Sequence, residues 1–249
     1  MPAPPEMNVV GRSPRSAVNN SEARTGSYGA GLMGGVWAIV VAGGSGSRFG
    51  DSIPKQFLEL GGLRLLDWAL AAAGAVCDGV VAVLPSSYLD ITLVPGVRAV
   101  AGGPTRSTSA RAGLAAVPDR ADVIVVHDAA RPLADPALFE RVIAAVRGGA
   151  DGAVPGVPVA DTIKRVGPSG EVLETLDRPA LRAIQTPQAF AADVLRRAHA
   201  GGGEATDDAA LVEAAGGRVV VVEGDPANVK VTSRDDLVRA EALLERRSL

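Results

Sequence analysis

Val36-Trp37-Ala38-Ile39-Val40-Val41-Ala42-Gly43-Gly44-Ser45-Gly46-Ser47-Arg48-Phe49-Gly50 sets an apolar, β-branched run directly against a glycine-rich loop. A run that is apolar on both faces suits a central parallel strand covered by helices on each side. Such a strand delivers the loop that follows it to the carboxyl edge of the sheet, where open α/β folds collect ligands. Glycine there lets backbone N–H groups approach a polyphosphate with no Cβ in the way. Two cations flank the loop, Arg48 and, just past Pro54, Lys55, a pair suited to neutralising triphosphate charge as it shifts onto leaving pyrophosphate. A solvated basic loop would carry the same two residues. A dinucleotide fingerprint would need a helix immediately after its glycines and an acidic residue ending the second strand, whereas Pro54 interrupts the first and Leu84-Pro85 ends the second. A Walker loop would need Gly-Lys-Ser/Thr, which the sequence lacks.

Outward from that stretch, short β-branched runs alternate with helical patterns. They are LRLLDWALAAAGAV, GVVAVLP, VRAVAGG, RSTSARAGLAAV, DVIVVHDAA and PALFERVIAAVRGG, and they read as successive βαβ units. Val123 to Val126 is again apolar on both faces and reads as a second central strand. Val157 to Leu176 breaks the rhythm with TIKRV, a Gly167-Pro168-Ser169-Gly170 turn signal and EVLETL, and reads as a hairpin arm. Helices over Ala191 to His199 and Asp207 to Ala215, a strand over Arg218 to Val222 and a closing helix from about Arg234 to Glu245 complete the pattern. Residues 1–34 mix Pro, Gly, Ser and Asn without apolar periodicity and read as a flexible N-terminal extension, with one catalytic domain over 35–249.

Composition narrows the function classes. A net charge of -3 gives no broad basic surface and argues against nucleic acid as the main partner. No apolar run is long enough to span a bilayer, so no membrane role is expected. The single cysteine, Cys77, cannot form an internal disulfide and reads as a small apolar filler on a helix, which together suggest a soluble, cytoplasmic protein. Of 25 basic residues only Lys55, Lys164 and Lys230 are lysine. Lysine kept in an arginine-rich chain marks places where a compact point charge is needed, unless the three are chance survivors.

Six further segments carry chemistry. Val125-Val126-His127-Asp128-Ala129-Ala130-Arg131-Pro132 puts a carboxylate at a strand end. Asp128 is read as a metal ligand, since Mg²⁺ takes one or two carboxylates and completes its shell with phosphate oxygens and water. A turn or helix cap would use the same carboxylate, and His127 is read as a buried, hydrogen-bonded residue without a catalytic role. Arg131 suits either the second substrate or a carboxylate partner. Gly102-Gly103-Pro104-Thr105-Arg106-Ser107-Thr108-Ser109 could present backbone groups and a hydroxyl to a base edge, and Thr105 or Ser107 could equally cap the helix that follows. Asp161-Thr162-Ile163-Lys164-Arg165, Asp177-Arg178 and Gln185-Thr186-Pro187-Gln188 concentrate polar and cationic groups around the arm, where edge charges would also deter aggregation. Gly224-Asp225-Pro226-Ala227-Asn228-Val229-Lys230 follows a strand and places Lys230 to reach a phosphate.

Taken in order, AGGSGSRFG, PKQ, GGPTRSTS, VHDAARP, DTIKR, LDR, QTPQ, TDD and NVKVT resemble the 2-C-methyl-D-erythritol 4-phosphate cytidylyltransferases of the non-mevalonate isoprenoid pathway, over about residues 36 to 246. The resemblance implies a Rossmann-like nucleotidyltransferase fold: a three-layer α/β sandwich with a mostly parallel sheet and a projecting β-arm, about 157–176, for homodimerisation. It also implies transfer of the cytidylyl group of CTP to 2-C-methyl-D-erythritol 4-phosphate with release of pyrophosphate, assisted by Mg²⁺ or another divalent cation. By the same resemblance Ala42, Gly43, Gly44, Gly46 and Gly103, with Ser109, bind the nucleotide, and Asp128 and Ala129 lie near metal and ribose. Arg48, Lys55 and Lys230 would stabilise the pentacoordinate α-phosphorus. Thr162 and Arg178 from a neighbouring subunit, with Arg131, Thr186 and Thr206, would position the polyol phosphate. Relatives often carry a second metal-binding acidic group near Asn-x-Lys; here Pro226 and Ala227 precede Asn228, which leaves Asp225 as the candidate.

A ribitol 5-phosphate cytidylyltransferase would share the cytidine loops and differ where the polyol binds. A molybdopterin guanylyltransferase would lack VHDAARP, DTIKR and NVKVT. A non-catalytic nucleotide-binding protein would keep the glycines without needing Arg48, Lys55, Asp128 and Lys230 together. Some relatives continue into a zinc-dependent cyclase, for which too few residues follow Lys230.

Overall fold

The computed structural model describes residues 35–43 and 53–247. The expectations for residues 1–34 and for Gly44, Gly46 and Arg48 lie outside the described residues.

The opening run forms β1 (Val36–Val41). A short hairpin, β2 (Glu59–Leu60) and β3 (Leu63–Arg64), then leads into α1 (Leu65–Gly74). There follow β4 (Gly79–Leu84), β5 (Val97–Ala101), α2 (Arg106–Ala116), β6 (Val123–Asp128), α3 (Pro136–Arg147) and β7 (Gly152–Pro158). A hairpin of β8 (Lys164–Val166) and β9 (Val172–Thr175) comes next, and then β10 (Arg182–Ile184) and β11 (Gln188–Ala191). The chain ends with α4 (Ala192–Ala200), α5 (Asp208–Ala214), β12 (Val219–Glu223) and α6 (Arg234–Arg247).

β1 lies between β4 and β6, both parallel to it, and β5 extends the sheet beyond β4. On the other side β11 runs antiparallel between β6 and β7, and β12 pairs parallel with β7. Period-two alternation then sorts the side chains of β1. Ala38 and Val40 pack with Leu66, Leu70, Phe139 and Val142 of α1 and α3, while Ile39 packs with Leu114, Leu195 and Val212 of α2, α4 and α5. Both faces are covered, giving helices, sheet, helices in three layers.

Local chemistry sets the helix starts. Asp135 accepts from the Ala137 amide at 2.8 Å and Pro136 occupies the first turn of α3. Of the two candidate caps for α2, Thr105 does the capping: its Oγ1 accepts from the Thr108 amide at 3.1 Å and Thr108 Oγ1 accepts from the Thr105 amide at 2.8 Å. Gly113 lets α2 lie close on the sheet, for a Cβ there would stand 2.8 Å from Val83 Cγ2 and collide with Ile39.

Three readings change. β10 and β11 had no signal of their own in the sequence, because each is only three or four residues long and Gln185, Thr186 and Pro187 interrupt the run. The expected arm is shorter than 157–176: β7 stays in the main sheet through Pro158, and only β8 and β9 form a separate two-stranded sheet. Cys77 lies in the turn after α1, not on a helix, and burial pushes its thiol up to about 12, which makes it unreactive at neutral pH. Among the described residues no helix is long and apolar enough to cross a membrane.

Candidate active site

The carboxyl ends of β1 and β6 and the loop after β5 open into a cleft of about 500 Å³ lined by Gly43, Lys55, Gly103, Ser109, Asp128 and Lys230 among others. Backbone bonds hold the edge together: the Ala42 amide donates to Val83 O at 2.8 Å and the Ala129 amide to Val41 O at 3.0 Å. Gly43 and Gly102 converge on Ser109, whose Oγ would lie 2.9 Å from a Cβ on either one. A Cβ at either position would displace the Ser109 hydroxyl from its place in the loop. Ser109 Oγ in turn accepts from the Gly103 amide and donates to the Gly103 carbonyl, each at 3.2 Å, which fixes that loop against the first turn of α2.

Asp128 is the electrostatic centre. Lys230 Nζ lies 2.7 Å from its Oδ2 and Arg106 Nε 3.3 Å from its Oδ1. Burial alone opposes ionisation of Asp128, but Arg106 and Lys230 outweigh it and hold the carboxyl well below the usual carboxylate range. Arg106 also stands 2.8 Å from Asp208 Oδ2. Lys55 enters from the short helix after Pro54, with its Nζ 3.2 Å from Val231 O, and the neighbouring Gln56 donates to Ala42 O at 2.5 Å. The loop that carries Lys230 is pinned by Asn228, which is fully buried and donates from Nδ2 to Thr186 O at 2.9 Å. The Val231 amide donates to Ala130 O at 2.7 Å and presses the same loop onto the end of β6.

The structure brings Ala42, Gly43, Lys55, Gly103, Ser109, Asp128, Ala129 and Lys230 to this one cleft. Arg131 lines a second cavity of about 280 Å³, which shares Lys230 with the first and includes Ile184 and Arg239. Its guanidinium donates to Asn228 O at 2.9 Å and to Ile184 O at 3.3 Å. Thr186 does not reach the surface: its Oγ1 accepts from the Asp128 amide at 3.0 Å and faces His127 Nδ1 at 3.0 Å. It sets the end of β6. Asp225 turns away from the cleft, accepting from the Ala227 amide at 2.8 Å and pairing with Arg247 at 2.9 Å. Thr206 is exposed and lines neither cavity. Thr162 is exposed ahead of the β8–β9 hairpin, and Arg178 beyond it donates to Ala160 O at 2.8 Å. His127 is buried, with burial as the main cause pushing its pKa down to about 4, so it is neutral at pH 7.

Sequence reasoning assigned no role to Arg106, Asp208, Gln56 or Asn228. Arg106 had one available signal, its place directly after a helix cap at the cleft mouth, and Asp208 lay in the TDD motif. Among the described residues no three His, Cys, Asp or Glu side chains gather to hold a metal by themselves.

Known proteins share both sequence and fold with this chain. It is 48% identical to the 2-C-methyl-D-erythritol 4-phosphate cytidylyltransferase of Nocardia farcinica over 223 residues, 86% of this chain and 96% of the relative. It is 49% identical to that of Rhodococcus opacus over 219 residues, 85% and 96% of the two chains. The crystal structure of the Thermus thermophilus 2-C-methyl-D-erythritol 4-phosphate cytidylyltransferase superposes with a TM-score of 0.71 at 36% identity, over 83% of this chain and 98% of that one. A 4-diphosphocytidyl-2C-methyl-D-erythritol synthase from Anaerococcus prevotii superposes with a TM-score of 0.75 at 28% identity, covering 86% and 100%. The family profile described as IspD: 2-C-methyl-D-erythritol 4-phosphate cytidylyltransferase matches residues 36–246, the span over which strands, cleft and cations have been traced, and to that family the chain belongs.

Proposed function

We propose that this chain transfers the cytidylyl group of CTP to 2-C-methyl-D-erythritol 4-phosphate, forming 4-diphosphocytidyl-2-C-methyl-D-erythritol and pyrophosphate. The observation that carries this reading is the convergence of Lys55 and Lys230 with the Gly43, Gly103 and Ser109 backbone edge at one end of the sheet. That backbone edge and Ser109 meet the cytosine, and Ala129 lies under the ribose. An oxygen of the acceptor phosphate attacks the α-phosphorus, a new P–O bond forms, and the bridging P–O bond to the β-phosphorus breaks with its electron pair leaving on pyrophosphate. The attacking phosphate is already anionic at neutral pH, so no protein base is needed. His127, buried and neutral against Thr186 and Arg131 O, is not offered as one. Rate comes from alignment and charge neutralisation by Lys55, Lys230 and, from the glycine loop, Arg48.

Mg²⁺ fits the residues present. Asp128 is the carboxylate among the described cleft-lining residues, and a hard cation completes its shell with phosphate oxygens and water. Bound there it would draw charge off the phosphates. Asp225, paired with Arg247, is left out of this set. The acceptor sits toward the second cavity, beside Arg131. The β8–β9 hairpin exposes Val166, Val172 and Leu173 at 57%, 60% and 59%, an apolar surface suited to a second copy of the chain. In the resulting homodimer Thr162 and Arg178 complete the neighbour's acceptor site. The enzyme acts in the cytoplasm, where a lone thiol such as Cys77 stays reduced.

The test is pyrophosphate release with each of the four nucleoside triphosphates and either 2-C-methyl-D-erythritol 4-phosphate or ribitol 5-phosphate. CTP with the methylerythritol acceptor is expected to be fastest. Preference for a purine nucleotide overturns the cytidine assignment, and preference for ribitol 5-phosphate overturns the acceptor.

A further inference from the structure

The Arg106 guanidinium is shared between two carboxylates. Its Nε lies 3.3 Å from Asp128 Oδ1 and its Nη1 lies 2.8 Å from Asp208 Oδ2. The contact with Asp208 is the closer of the two and pairs a buried guanidinium with a buried carboxylate. Asp208 itself is fully buried at the start of α5, and its other oxygen faces His199 Nε2 of α4 at 3.0 Å. An unrestrained arginine meets a carboxylate with two parallel bonds of about 2.7 to 2.9 Å. Asp128 receives one long contact instead, while the shorter one goes to Asp208.

We infer that Asp208 is a positioning residue that holds Arg106 to a single contact with Asp128 Oδ1 and so keeps its fork off Asp128 Oδ2, the oxygen that Lys230 can yield to the divalent cation accompanying the nucleotide. The inference rests on the function proposed above and adds to it. The other partner of Asp128, Lys230, is 43% exposed on a long flexible stem and can move to a phosphate when one arrives. Arg106 is largely buried and cannot leave the Asp128–Asp208 pair for a phosphate. If Asp208 carried no charge, Arg106 would close on Asp128 with both arms of its fork and compete with the cation for the same oxygens. His199, anchored in α4, holds the Asp208 carboxylate in the orientation that prevents this.

The experiment uses Mn²⁺ as a paramagnetic probe, counted by electron paramagnetic resonance on the full chain with CTP and no acceptor, so that nothing turns over. Asp208→Asn removes the charge and keeps the shape. Its Mn²⁺ dissociation constant is expected to rise about tenfold, the effect of one added hydrogen bond to a charged carboxylate that the cation must displace. CTP affinity without divalent cation, measured by calorimetry, is expected not to weaken. The double variant Arg106→Gln/Asp208→Asn removes the competitor and is expected to return Mn²⁺ affinity to within about threefold of the unaltered chain, whereas independent structural damage would add. Unchanged Mn²⁺ affinity in Asp208→Asn, or a double variant weaker than the single, overturns the inference while leaving the proposed function standing. If Asp208→Asn does not fold, Arg106→Gln alone decides: binding of Mn²⁺ at least as tight as in the unaltered chain supports the inference and weaker binding overturns it. Failure of the unaltered chain to bind Mn²⁺ with CTP overturns both.

Discussion

Lys230→Met separates a catalytic charge from a structural one. Methionine keeps most of the stem and deletes the ammonium that sits 2.7 Å from Asp128. Asp128 keeps Arg106, so the buried carboxylate is not orphaned, and a lysine 43% exposed contributes little to folding, about 1 kcal/mol or less. Turnover is a different matter. A unit charge about 4 Å from developing phosphate charge is worth about 4 kcal/mol at an effective dielectric constant near 20, and exposure at the cleft mouth reduces that to about 2 to 4 kcal/mol. The corresponding loss in kcat is about 30- to 1000-fold, in line with the removal of one preorganised charge from other active sites. The assay is pyrophosphate release at saturating CTP and acceptor, with thermal unfolding of the same preparation alongside. A variant with an unchanged melting temperature and kcat within about threefold of the unaltered chain would refute the argument that Lys230 neutralises transition-state charge.

Gly113→Ala tests the close approach of α2. The helix gains about 1 kcal/mol of propensity, but the new methyl meets Val83 and Ile39, so a net destabilisation of about 1 to 2 kcal/mol by urea unfolding is expected, and an unchanged or raised midpoint contradicts the packing. His127 is held neutral with a pKa near 4 in the folded chain, and its stabilising contribution is complete above the unfolded value of about 6.5 and declines as the pH falls toward 4. The unaltered chain should therefore lose about 2 to 3 kcal/mol relative to His127→Gln between pH 7 and pH 4.5, and a gap that does not move with pH counts against it. Leu173→Asp puts a charge into the exposed apolar strip of the hairpin. Sedimentation velocity should then show monomer in place of dimer, together with weaker use of the acceptor; a dimer that survives intact would remove the hairpin from the interface.

The sequence by itself determined the order and type of the long elements. The unbroken apolar runs of β1 and β6 required cover on both faces, the 3.6-residue pattern of α3 required a buried stripe, and the glycines after β1 and β5 marked loops that line the cleft. It also placed Asp128 correctly, because the end of a parallel strand is a position along the chain and periodicity reads such positions. Only the tertiary structure decided where each side chain spends its charge. Asp128 and Lys230 are 102 positions apart, and nothing local in either segment announces the pair. Thr186 pairs with the Asp128 amide and His127, and Asp225 pairs with Arg247, contacts that no local pattern announces. Asp208, at the start of α5, faces Arg106 and His199, partners that its own segment does not announce. Hydrophobic patterning records which face of an element is buried, a property of neighbouring residues. The direction and partner of a polar group depend on elements brought together by the whole core, and no single segment carries that information.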